Sequence, residues 1–99
     1  MKILITGISG FLGRNLIKKL NQHELFGLDI QDDVIDGITV FSSSNLENIE
    51  IDIDVVVICH AAVASGTVVL SNDLLYNVNV SLTEKIVNKF KEAFVVYVS

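Results

Sequence analysis

The sequence predicts an α/β fold, a parallel sheet wound with helices on both faces. Three observations carry that expectation. Apolar runs of strand length, "KILIT" at 2–6, "ELFGLD" at 24–29 and "IDVVVIC" at 53–59, alternate with segments whose apolar residues recur at helical spacing. The first run is apolar almost throughout, as suits a strand covered on both sides. A glycine-rich stretch, "TGISGFLG" at 6–13, joins that run to the first helical segment.

Taken in order, Lys2–Thr6 is the first strand. Phe11–Leu20 follows as a helix, with Leu12, Leu16 and Leu20 on one side and Arg14, Lys18 and Lys19 largely outside. Residues 24–29 form the second strand and "ITVF" (38–41) the third. The eight residues 30–37 between them are too few for a helical crossover, so a loop or a single helical turn is expected. Ser44-Asn45-Leu46-Glu47 has the Ser-x-x-Glu spacing of a capping box and predicts a short helix. The fourth strand, 53–59, is rich in β-branched residues. The longest helix runs from about Asn72 to Lys91, with Leu75, Val78, Leu82, Ile86 and Phe90 as its apolar stripe. Phe94–Val98 is the fifth strand. Strands alternating with helices imply right-handed crossovers and parallel pairing. No polar tail follows the fifth strand, which is the pattern expected of a domain truncated there.

Composition narrows the function. Hydrophobic residues make up 51% of the 99 and charged residues 19%, enough for a real core in one small domain or a piece of a larger one. The net charge is −5 with seven Lys and Arg, so nucleic acid is not an expected partner. The apolar run "VVVIC" is too short to span a membrane, and the N-terminus does not read as a signal peptide. Cys59 is the one cysteine, and His23 and His60 stand far apart, so neither a disulfide nor a zinc site is expected. A cytoplasmic location is the expectation.

The glycines between strand and helix have a physical reading. A helix N-terminus offers unpaired N–H groups and a partial positive charge, and pyrophosphate can settle there when no Cβ stands in the way. Gly7 permits the turn out of the strand, Gly10 the approach of phosphate, and Gly13 tight packing of helix on strand. Glycine also serves in plain turns. Here, though, Asp29 ends the second strand 22 residues after Gly7, close to the offset of a ribose-binding acid. Its carboxylate suits ribose hydroxyls and repels a 2′-phosphate, and "DIQDD" (29–33) supplies no cation to attract one. NAD is therefore expected over NADP. As an alternative, Asp29 is an ordinary strand-end turn residue.

Thr-Gly-x-x-Gly-x-x-Gly followed by a strand-end Asp resembles the extended short-chain dehydrogenase/reductase family, the NAD-dependent sugar-nucleotide epimerases and dehydratases. Phe11-Leu12 is similar to the aromatic–aliphatic pair of that branch. The likeness extends over all 99 residues, which correspond to the opening third of such an enzyme. "VVVICHAAV" resembles its fourth strand, with Ala61 and Ala62 matching a small pair beneath the cofactor. "NVSLT" (79–83) resembles Asn-Val-x-Gly-Thr, so Asn79 matches an asparagine near the cofactor; it also has the bland reading of bonding backbone or water.

The resemblance implies a Rossmann-type doubly wound sheet, five strands in the order 3-2-1-4-5. NAD lies over the switch point between strands one and four. The implied cofactor-binding set is Gly7, Gly10, Phe11, Leu12, Gly13, Asp29, Ile30, Ala61, Ala62 and Asn79. The implied partner is a small-molecule substrate, a nucleotide sugar, and a homodimer is left open.

The sequence departs from the family pattern in three places. Cys59-His60 precedes the alanines where His and an aliphatic residue are usual. Leu82 replaces a glycine of the long helix. Ser42-Ser43 stands where an Asp often serves the adenine end. His60 is read as a satisfied side chain at the sheet end and Cys59 as a small core residue.

In the family, a Tyr-x-x-x-Lys pair supplies the base that takes a proton from a sugar hydroxyl while hydride passes to NAD, and a Ser or Thr after the fifth strand orients the hydroxyl. Val80 rather than Lys stands four residues after Tyr76, Tyr97 has two residues after it, and Ser99 matches only the first of a serine pair. Residues 1–99 are expected to be inactive alone, with no catalytic residue among them. The alternatives are an NADP-dependent ketoreductase of the same superfamily and a non-catalytic dinucleotide-sensing module.

Overall fold

Strand β1 (Lys2–Thr6) suits the interior of the sheet because, past Lys2, it is covered on both faces: Ile3, Leu4, Ile5 and Thr6 are all buried. The protein's structure, a computed structural model, describes residues 1–29, 33–59 and 72–98, with the backbone alone at 33 and 72–80. After β1 come α1 (Phe11–Lys19), β2 (Glu24–Asp29), β3 (Asp33–Ile35), β4 (Ile38–Ser42) and a 3-10 helix (Ser43–Asn48). Strand β5 (Val55–Ile58), helix α2 (Asn72–Lys89) and β6 (Phe94–Tyr97) follow. The described sheet has the order β3-β4-β2-β1-β5-β6. All its pairings are parallel except β3 with β4.

The five expected strands keep their expected order, 3-2-1-4-5, as β4, β2, β1, β5 and β6. The sixth is a correction. Residues 33–35, expected within a loop or helical turn, form an antiparallel edge strand in register with β4, Ile35 opposite Ile38. The cause is the two-residue turn Asp36-Gly37, whose φ values are 51° and 79°. Two successive positive φ values are what a tight primed hairpin turn requires, and Asp-Gly is a sequence that accepts them.

Alternation along β1 divides the core into two layers. Ile3 and Ile5 pack with Ile8, Ile17, Val40 and Val57 on the face covered by α1. Leu4 packs with Leu28, Leu46, Ile49, Val56, Ile58, Ile86 and Phe90 on the face covered by α2 and the 3-10 helix. Period-2 side-chain placement makes this division possible, and residues apolar at consecutive positions make it necessary.

Two helical expectations shift in detail. The buried residues of α1 are Gly13 and Ile17, while Leu16 and Leu20 are half-buried and Leu12 is 42% exposed. The helix is rotated so that its glycine, rather than Leu12, faces inward. The 3-10 helix forms where a short helix was expected, but its N-cap is Ser42, whose hydroxyl accepts the Ser44 N–H at 3.3 Å. Ile86 of α2 and Phe90, just past its end, are buried as the stripe required, and Leu82 is half-buried; Leu75 and Val78 have side chains outside the described residues.

At the amino ends of the strands, Asp54 ties three together. Its carboxylate accepts the Lys2 N–H at 2.8 Å, its own N–H donates to the Lys2 carbonyl, and its carbonyl accepts the Phe94 N–H. Among the described residues no helix is long and apolar enough to cross a membrane.

Candidate dinucleotide site

The strands of the parallel sheet all end on one side, and the order reverses beside β1: the chain proceeds to β2 on one flank and returns to β5 on the other. Ligands of open α/β sheets bind at such a place, outside the carboxyl ends of the strands. Thr6 holds the two flanks together there. Its buried hydroxyl oxygen accepts the N–H of Cys59, just past β5, at 3.2 Å.

Out of Thr6 the chain turns at Gly7, whose φ of 66° is unfavourable for a residue with a Cβ. The Gly7 N–H donates to the Leu28 carbonyl at 2.8 Å, so the turn begins as an extension of the β1–β2 pairing. Gly10 then donates to the Gly7 carbonyl at 3.1 Å and stands as N-cap of α1 without a side-chain cap bond. No acidic residue lies in the first turn of α1, whereas Lys18 and Lys19 occupy the last. The positive end of the helix is therefore left uncompensated by its own side chains.

Gly13 is required by contact. A Cβ there would stand 2.6 Å from both the Cα and the carbonyl oxygen of Ile8 and 2.8 Å from the Gly7 carbonyl oxygen. The backbone it meets is that of the turn, one and two residues past the strand. Ile8 is the anchor of this turn, fully buried against β2 and β4. Its place is kept by Gly27 in β2, where a Cβ would come within 2.7 Å of the Ile8 side chain.

Asp29 ends β2 opposite Ser42 of β4. One of its carboxylate oxygens, Oδ2, accepts both the N–H of Ser9, at 3.0 Å, and the Ser9 hydroxyl. The strand-end acid and the glycine turn thus meet through Ser9. From the helix side, Arg14 Nε donates to the Ser9 carbonyl at 3.1 Å. Phe11 projects into solvent at the start of α1, 83% exposed. Ser42 is buried, and its hydroxyl shares a 2.8 Å bond with that of Ser44 while capping the 3-10 helix.

Of the expected site residues, Gly7, Gly10, Phe11, Leu12, Gly13 and Asp29 converge at this corner. Ile30, Ala61 and Ala62 lie outside the described residues, as do His60 and Ser99, and Asn79 is placed in α2 by its backbone alone. Cys59 is half-buried and burial raises its thiol pKa, so it is protonated at neutral pH and suits the role of a small packing residue. Among the described residues no group of His, Cys, Asp and Glu could hold a metal. A separate cleft lined by Ile49–Asp54 and Lys89–Ala93 opens at the amino ends of the strands, away from this corner.

Ile8, Ser9 and Gly27 escaped sequence reasoning, as did the bond by which Thr6 bridges the two flanks. Only Gly27 left a signal, as a glycine inside a strand, which marks a close approach by another group.

The model of the NAD dependent epimerase/dehydratase family matches residues 3–99. The chain belongs to that family. NAD is the family's cofactor. No curated protein sequence matches the chain. Among solved structures, a UDP-glucose 4-epimerase superimposes with a TM-score of 0.78 at 20% identity, over 98% of this chain and 35% of its own. A short-chain dehydrogenase/reductase superfamily protein from Agrobacterium tumefaciens with bound NAD gives 0.76 at 20%, over 98% and 32%. UDP-N-acetylglucosamine 4-epimerase from Bacillus cereus gives 0.72 at 23%, over 98% and 34%. These likenesses establish the fold, and this family member spans about a third of each structure's length.

Proposed function

We propose that residues 1–99 form the N-terminal part of an NAD-binding domain in an epimerase/dehydratase that acts on a nucleotide sugar by transient hydride transfer. The observation that carries this reading is the meeting of an uncapped, glycine-built helix N-terminus with a strand-end carboxylate, joined through Ser9. The corner suits a dinucleotide on its own terms. Positive φ at Gly7 and the absence of side chains at Gly7 and Gly10 leave the N–H groups of the first turn of α1 approachable by pyrophosphate. Asp29 supplies an acceptor for adenosine ribose hydroxyls.

In this reading Gly7, Gly10 and Gly13 shape the pyrophosphate cradle, and Phe11 and Leu12 lend the first turn of α1 to it. Asp29 and Ile30 border the adenosine, and Ala61, Ala62 and Asn79 face the remainder of the cofactor. Bound NAD supplies a hydride acceptor and donor. What this chain does is bind and orient it, keep a 2′-phosphate away through the Asp29 charge, and give the pyrophosphate a positively polarised helix end. The base and the sugar-holding residues are outside 1–99, in agreement with the missing Tyr-x-x-x-Lys spacing.

Calorimetric titration of the intact protein with NAD and NADP tests the cofactor reading, and incubation with UDP-sugars followed by product chromatography tests the reaction. Saturable binding that favours NAD, with conversion of a nucleotide sugar, is expected. Failure to bind NAD, or a preference for NADP, overturns the cofactor assignment. NAD binding without turnover of any nucleotide sugar leaves a dinucleotide-sensing module instead.

A further inference from the structure

We infer that Ser9 is a positioning residue that fixes the Asp29 carboxylate and thereby sets the discrimination between NAD and NADP. This rests on the proposed NAD-binding role of the corner. Asp29 stands half-buried at the carboxyl end of β2, and a carboxylate's Cβ–Cγ torsion is broad unless bonds to its oxygens fix it. Here Oδ2 takes two donors from one residue, the N–H and the hydroxyl of Ser9. Bonds to an ionised acceptor are the stronger kind, and two from a single residue set the plane of the carboxylate as well as its place.

Ser9 is itself held. It lies between Ile8, buried under the sheet, and Gly10, the N-cap of α1, and its carbonyl accepts Arg14 Nε at 3.1 Å. The carboxylate is therefore referenced to the turn that would hold the pyrophosphate. Two consequences follow for a dinucleotide. A ribose diol meets an acceptor that needs no ordering on binding, which favours NAD. A 2′-phosphate meets a negative charge that cannot swing aside, which disfavours NADP. Removing the hydroxyl leaves the backbone bond but takes away the second donor, so the carboxylate is held less firmly and both effects weaken together.

The test is calorimetric titration of the intact wild-type protein, Ser9→Ala and Ser9→Thr with NAD and with NADP. Ser9 is exposed, so both variants are expected to fold, with unchanged thermal melts as the check. Ser9→Ala is expected to weaken NAD about tenfold, as for loss of one hydrogen bond to a charged group, while NADP is weakened less or is strengthened. Ser9→Thr, which keeps the hydroxyl, is expected to restore the wild-type ratio. A NAD-to-NADP ratio unchanged in Ser9→Ala, or equal losses for both cofactors, overturns the positioning role. If the wild-type protein binds NAD and these ratios fail, this inference alone falls; if the wild-type protein does not bind NAD, the cofactor reading falls with it.

Discussion

Asp29 and Asp54 are the same side chain at opposite ends of one sheet, and each accepts a backbone N–H at close range, 3.0 Å from Ser9 and 2.8 Å from Lys2. Their surroundings differ by strand direction. At the amino ends the neighbours of Asp54 are other strands, and its three bonds fasten β1, β5 and β6 into a closed edge. At the carboxyl ends the chain leaves β1 and β5 for opposite flanks, and the Asp29 side chain meets a turn while its backbone still pairs with β4. An acid at the amino end completes the sheet. An acid at the carboxyl end reaches a loop that also borders the candidate site, which is where the proposed reading gives it a part in recognition.

The largest disturbance of this contrast is Gly13→Ala. The added Cβ meets backbone atoms at 2.6 Å that have no room to yield, so α1 must lift from the turn. A loss of about 2–3 kcal/mol in denaturant unfolding is expected, as for overpacking, together with loss of detectable NAD binding. Retained binding would mean that the carboxyl end tolerates movement that the contact distances forbid.

Paired substitutions at the two aspartates sharpen the comparison. Asp29→Ala is expected to weaken NAD about 10- to 100-fold, the scale of hydrogen bonds to a charged group, with little change in melting temperature. Asp54→Ala is expected to do the reverse, lowering stability by about 0.5–1 kcal/mol and leaving NAD affinity unchanged. Calorimetry and denaturant titration on both variants separate the two roles; matching profiles would erase the distinction. An effect on stability alone is expected at Gly37, where φ is 79° but nothing lies within reach of a Cβ. Gly37→Ala is expected to cost about 1 kcal/mol of backbone strain and to leave NAD binding untouched, because the hairpin is an edge feature.

What could be read from the sequence was whatever is local or periodic. Glycine spacing located the turn, apolar runs located β1, β2 and β5, and alternation with helices gave parallel order. The hairpin is hidden from an argument about crossover length: eight residues are too few to link parallel strands through a helix, yet the Asp-Gly pair within them suffices to fold the chain back on itself. Leu12 was assigned to the buried side of α1 because side-chain spacing cannot show that a glycine will carry the contact. Ser9 was illegible for a different reason: its partner is 20 positions away, and the bond exists only once β2 lies beside β1. Gly27 shows the same limit, since what fills its space is the side chain of Ile8.

The hairpin has a consequence for the order of events in time. Strand β1 meets β5 across a separation of about fifty residues, Ile3 against Val55, whereas Ile35 and Ile38 meet across two. Hairpins close in about 1–10 μs, while long-range parallel pairing waits on costly loop closure. By this argument β4 acquires its outer neighbour before it finds β2, and the rim of the sheet is finished ahead of its centre. Gly37→Ala would then slow folding as well as weaken the fold, whereas a substitution that speeds only unfolding would place the hairpin late.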